Sequence, residues 1–283
     1  MDISAILFLF FIFVTGSVMG SFVGAMTWRM RHHMDWVRGR SECEHCHHQL
    51  AAVDLIPIVS YVSLRGKCRY CHKKIGRIAI KLEIGTGLVF LLSVMLFPSA
   101  MARQFVSVDN LILHPEFCSS FAFGLWLVIL TMLVALFVYD WRWKLLPNKL
   151  VFPLIAVSII YSLVVRIGVW HQPVLTWLIE SGLSLLPISG VYLLIYILSG
   201  GKLIGFGDVK LSIALGLMTG WQGGIIILFL SNLMASLYSI PGLAHKKLSR
   251  KSHIPFGPFL IAATYITVLI GWKVLDSFMA VYL

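Results

Sequence analysis

The chain has 283 residues, of which 59% are hydrophobic and 12% charged, with a formal net charge of +11. So few charges cannot cover the surface of a water-soluble domain, which excludes that class and points to a membrane-embedded protein. The basic excess does not call for nucleic acid as a partner, because the Lys and Arg residues are distributed among several loops rather than gathered in one patch.

In chain order, the first apolar run covers residues 3–26 and is followed by Arg29, Arg31, Arg38 and Arg40. Asp2, rather than a basic cluster, stands before it. The run therefore reads as an uncleaved helix with its N-terminus outside and its C-terminal end in the cytoplasm. Small residues in GSVMGSFVGA suit close packing against another helix. Segment 27–82 is then cytoplasmic, and it holds 11 of the 23 Lys and Arg residues.

Within that segment, CEHC and CRYC supply Cys43, Cys46, Cys68 and Cys71. Two C-x2-C pairs at this separation form the pattern of a tetrahedral four-thiolate zinc site. A reducing cytoplasm disfavours disulfides, and four sulfurs leave no open position for a catalytic water, so the reading is structural zinc. His45, His47, His48 and His72 are alternative ligands, and disulfides or free thiols are the competing outcomes. The fifth cysteine, Cys118, reads as a small packed apolar side chain.

Further runs of spanning length lie at about 83–101, 119–139, 150–170, 174–199, 222–243 and 254–272. A shorter one extends from Asp208 to about Trp221. It is counted as a span because AHKKLSRKSH, at 244–253, would otherwise fall outside with its four basic residues. The turns at 140–149 and 200–210 then share the cytoplasmic side, with 102–118, 171–173 and the region of Gly220 on the other. Only Arg103, Arg166 and Lys273 fall near the outer face. The expected architecture is an all-α polytopic membrane protein of about eight transmembrane helices, with a small zinc-binding cytoplasmic domain between helices 1 and 2.

Two carboxylates stand at the cytoplasmic ends of the third and sixth spans: Asp140 in LFVYDWRWKLLPNKL and Asp208 in LIGFGDVKL. Either alone reads as an interfacial cap, or as a partner of Lys144 or Lys210. Together they suggest chemistry. Two carboxylates within hydrogen-bonding distance share one proton, so one activates water as a base while the other polarises a carbonyl as an acid. Gly205 and Gly207 would let backbone approach a substrate there.

With these motifs assembled, the chain resembles the type IV prepilin peptidases, bifunctional leader peptidases and N-methyltransferases of bacterial pilus and type II secretion systems. The resemblance runs through GSFVGAMTWRM, the cysteine pairs enclosing DLIPIVSYVSLRGKCRYC, Glu83 at the entry to the second span, YDWRWKLLP, GFGDVKL and IPFGPFL. Asn148 stands where the family often has aspartate. The resemblance implies that Asp140 and Asp208 are the catalytic pair and that the four cysteines bind zinc. It also implies removal of a short basic leader from a prepilin or pseudopilin, followed by methylation of the new N-terminus with S-adenosylmethionine. The implied setting is the bacterial inner membrane, with the active sites facing the cytoplasm. The expected organisation is a first transmembrane helix at 1–26, the zinc-binding, methyltransferase segment at 27–82 and the peptidase region at 83–283.

No Gly-rich nucleotide loop marks a cofactor pocket. Glu42, Glu44, Asp54 and Glu83 are candidates for contacting a cationic cofactor or the leader's basic residues, against the plainer reading that Glu42 and Glu44 are solvated. Gly257, between Pro255 and Pro258, either shapes a loop or belongs to a substrate-side element. The rival classes are an ion- or proton-coupled transporter using the same aspartates, and a membrane methyltransferase without peptidase activity.

Overall fold

The computed structural model describes residues 3–36, 39–101, 115–244 and 254–271. The readings made on Asp2, Arg38, 102–114, 245–253, Lys273 and the Cys118 side chain lie outside what is described. Regular structure is helical throughout, and the described residues add only two isolated β-bridges, Glu42 with Gln49 and Lys67 with Lys74. Among the described residues six helices are long and apolar enough to cross a membrane: Ile3–Arg31, Arg77–Leu96, Ser120–Trp143, Asn148–Val169, Val174–Ser199 and Phe206–Pro241. A shorter apolar helix covers Gly257–Ile270. The protein is a multi-pass membrane protein.

The sixth of these helices is two. Gly220 breaks it with φ 74° and ψ 178°. A Cβ on Gly216 or on Gly224 would lie within 3.6 Å of the same Ile188 methyl, whereas a straight helix would hold those positions about 12 Å apart. Ser212 and Ser231 likewise bond Ser189 and Tyr192, which are one helical turn apart. The chain therefore reverses at Gly220. With this hairpin counted as two and the helix at Gly257 added, the described residues hold eight apolar helical segments. The short run after Asp208 is the first arm of the hairpin.

The chain divides into two compact units, Met1–Met95 and Leu96–Leu283. In the first, α1 (Ile3–Arg31) packs on α3 (Arg77–Met101). Glycine permits the approach: a Cβ on Gly16 would lie 2.9 Å from the Gly87 Cα, and one on Gly20 would lie 2.6 Å from the Leu82 carbonyl oxygen. This is the close helix packing that small residues allow in lipid. Ile3, Leu7, Phe10 and Phe11 of α1 are exposed, as suits a surface facing acyl chains. Between these helices lie the four cysteines, a 3₁₀ turn at Ala52–Leu55 and the short α2 (Val59–Ser63).

The second unit contains α4 (Pro115–Trp143), α5 (Asn148–Leu163), α6 (Val174–Ser184), α7 (Val191–Ser199), the hairpin α8 (Phe206–Ala244) and α9 (Gly257–Ile266). The hairpin is the hub and packs on α5, α6, α7 and α9. π-helical turns at Val164–Val169, Leu186–Gly190 and Thr267–Gly271 follow or join these helices. The first of them buries Arg166, which pairs with Glu180 and packs against Gly220.

Candidate active site and metal centre

Asp140 occupies the last turn of α4, where the helix is stopped by Lys144 in a left-handed conformation at φ 54°. Asp208 occupies the first turn of α8. The approach to it is set by α7, which ends in the left-handed glycines Gly200 and Gly201; the Gly201 N–H reaches back to the Tyr196 carbonyl at 2.9 Å. Both aspartates are buried, at 5% and 9% exposure, in turns that approach each other where Gly207 meets Leu146. Two acids buried together in a membrane protein are costly to keep without a function.

The surroundings explain the local sequence. A Cβ on Gly207 would sit 3.1 Å from Leu146 Cβ, so glycine lets the turn after Asp140 close on the turn before Asp208. One turn further, the Lys210 amine donates to Asn148 Oδ1 at 2.5 Å and lies over the Phe206 ring. Lys210 thus answers to Asn148 and holds the start of α5 to the start of α8. Gly257, the first residue of α9, donates its N–H to Asp140 Oδ2 at 3.0 Å, so a helix N-terminus faces the carboxylate. A Cβ there would lie 2.7 Å from that same oxygen. Ring contacts link the neighbouring elements: Trp141 meets Tyr238, Tyr238 meets Phe259, and Tyr192 meets Phe256 edge to face. The sequence reading noted the IPFGPFL motif but missed the contact of Gly257 with Asp140.

In the other unit the four cysteine sulfurs lie within 4.8 Å of one another and could hold a metal ion. None is in a disulfide. Cys43 Sγ and Cys71 Sγ are 3.9 Å apart, close to the ~3.8 Å edge of a tetrahedron with zinc–sulfur bonds of about 2.3 Å. The two C-x2-C segments fold alike. His47 N–H bonds the Cys43 carbonyl and His72 N–H the Cys68 carbonyl, at 2.9 and 3.0 Å, each with a left-handed histidine. Each loop is closed by one of the isolated β-bridges. Burial would raise the Cys43 thiol, but N–H groups of His45 and Cys46 and the neighbouring sulfurs bring it down to about 7. For Cys46 the His48 N–H is outweighed by burial and by contact with Cys43 and Cys71, which push it up to about 11, so without a metal the crowded sulfurs favour one thiolate over several.

The four candidate carboxylates are engaged separately. Glu42 lies 3.7 Å from His47, and Glu44 is exposed. Asp54 takes bonds from Arg69 at 2.7 Å, Tyr70 at 3.1 Å and the Ala51 N–H at 3.2 Å. Burial would lift Asp54, but these three donors outweigh it and hold the carboxyl below its ordinary range. Glu83 is buried and accepts the Ile58 N–H at 2.7 Å.

Comparison with known proteins agrees with this division. Residues 14–97 match the family model described as the bacterial peptidase A24 N-terminal domain, and residues 127–240 match the type IV leader peptidase family. Among similar proteins, the prepilin leader peptidase/N-methyltransferase of Pseudomonas putida is 29% identical over 84% of this chain and 74% of its own length. Those of Dickeya chrysanthemi and Bacillus subtilis (strain 168) are 26% and 25% identical. The alignments cover 91% and 96% of this chain, and 92% and 96% of theirs. No solved structure gives a significant match. The chain belongs to the type IV leader peptidase family.

Proposed function

We propose that this protein is a prepilin leader peptidase and N-methyltransferase of the bacterial inner membrane, with Asp140 and Asp208 as its proteolytic pair. One observation carries the reading: two buried carboxylates, from the end of α4 and the start of α8, stand in turns brought together by Gly207 on Leu146, within the leader-peptidase segment. The proton shared by such a pair lets one aspartate accept a proton from water while the other donates to the scissile carbonyl oxygen. Water adds to the carbonyl carbon, and collapse of the adduct breaks the peptide bond with the proton delivered to the leaving amine. Gly257 N–H positions the Asp140 carboxylate for this exchange.

The substrate is a prepilin or pseudopilin whose apolar helix lies in the lipid and whose basic leader protrudes on the cytoplasmic side. The N-terminus of the enzyme is then periplasmic and both active sites face the cytoplasm. Cys43, Cys46, Cys68 and Cys71 hold a structural Zn²⁺ that orders segment 27–82. S-adenosylmethionine supplies the methyl group to the new α-amine. A transporter reading draws no support from the relatives.

The test is incubation of the purified enzyme in detergent with a prepilin and S-adenosylmethionine, followed by mass measurement of the product. Loss of the leader with addition of one methyl group at the new N-terminus supports the reading. An intact prepilin contradicts it.

A further inference from the structure

The cysteine-bearing unit contains a buried carboxylate that the reactions above leave without a role. Glu83, in the second turn of α3, is 7% exposed. Its Oε2 accepts the Ile58 N–H at 2.7 Å, and among the described residues no Lys, Arg or His lies within ion-pair distance of it. Buried carboxylates in proteins are as a rule paired with a cation. Three residues on, the Thr86 hydroxyl is buried and has no partner among the described residues. Thr27, Thr131 and Thr264 instead bond the carbonyl four residues back in their helices. Positions three apart share a helix face, so Glu83 and Thr86 stand on the same side of α3.

The turn that Glu83 holds is itself strained. Ile58 has φ 63° and ψ −52°, and the Val59 N–H returns to the Pro57 carbonyl at 2.5 Å. This is a γ-turn of the rare positive-φ kind, built on a β-branched residue that avoids that region. Such strain persists where the surroundings over-determine it, and it gathers at binding and catalytic sites.

We propose that Glu83, Thr86 and the Ile58 turn form the binding site for the organic cation of the methyl-transfer step. That cation is the α-ammonium of the processed substrate or the sulfonium of S-adenosylmethionine. The proposal rests on the methyltransferase reading and deepens it by assigning the group that recognises charge. A carboxylate in a poorly solvated setting separates a cation from its neutral counterpart far more sharply than it would in water. Glu83 is a binding residue: it meets the cation with one oxygen while the other holds the Ile58 turn.

The test uses the full chain in detergent and two pairs of probes. One pair is a synthetic peptide beginning with a free-amine phenylalanine and its N-acetylated form. The other is S-adenosylmethionine and S-adenosylhomocysteine, which lacks the sulfonium charge. Wild type is expected to bind the charged member of one pair at least about tenfold more tightly, and Glu83→Gln to abolish that preference. Glutamine keeps an acceptor for the Ile58 N–H, so a role confined to holding the turn would survive the change, and zinc content reports that the unit is folded. The pair that loses its preference identifies the cation. Equal binding within both pairs by wild type, or an unchanged preference in Glu83→Gln, overturns the proposal. Should Glu83→Gln lose its zinc, Thr86→Val decides. A partnerless structural hydroxyl would be replaced without loss, whereas about fivefold weaker binding of the charged probe supports the site. Methylation of the free-amine peptide by wild type is scored in parallel. Its absence counts against the methyltransferase reading, while the binding preference decides the site separately.

Discussion

Asp140 and Gly257 are 117 positions apart, yet the backbone N–H of one is bonded to the carboxylate of the other. A glycine is required because a Cβ would lie 2.7 Å from Asp140 Oδ2. The atom displaced would be the end of a mobile side chain, so folding should suffer little and the carboxylate should turn. Gly257→Ala is expected to reduce prepilin cleavage by about 10- to 100-fold, since small misplacements of a reacting group are costly. Its thermal midpoint in detergent should stay within a few degrees of wild type. A near-normal cleavage rate would remove Gly257 from the site. The two aspartates drew attention in the sequence because carboxylates at the edges of apolar runs stand out. Gly257 was legible only as a helix-entry glycine, because nothing local to IPFGPFL ties it to a partner so distant in the chain.

At the scale of elements, the hairpin turns on Gly220. Its φ of 74° suits only glycine, and an added Cβ would strike the Arg166 guanidinium. Gly220→Val should cost about 1–3 kcal/mol from backbone strain alone, and it should dislodge the Arg166–Glu180 pair. Melting of wild type and variant in detergent measures the loss, and an unchanged midpoint would contradict this view of the turn. The two cysteine knuckles allow a second expectation. Chelation, or Cys43→Ser, should release about one zinc per chain and abolish methyl transfer, because four-thiolate sites of this kind contribute folding energy outright. Metal analysis with a methylation assay decides it. Both features were visible beforehand for different reasons: the knuckles by spacing, and the hairpin only through charge, since a continuous apolar sequence does not reveal where a helix doubles back. The γ-turn at Ile58 had no sequence signal, because isoleucine is a poor residue for it.

The whole molecule follows from a composition that water cannot solvate, and its apolar helices give the polytopic character read from the sequence. What hydropathy left open was the pairing of helices, which is set by close contacts such as Gly20 on Leu82 and Gly216 on Ser184. The orientation we propose rests on the basic loops. A cysteine introduced at Lys202 should react with a thiol reagent only after the inner membrane is made permeable, and labelling in intact cells would reverse the topology. The central claim is that Asp140 and Asp208 act together on a peptide bond. The most direct test compares prepilin cleavage by purified wild type, Asp140→Asn and Asp208→Asn, with methylation of a pre-cleaved peptide scored alongside. Loss of cleavage by at least about 10³-fold in each variant, with methylation retained, is the expected result. Cleavage by either variant near the wild-type rate would contradict the claim and return that aspartate to a structural role.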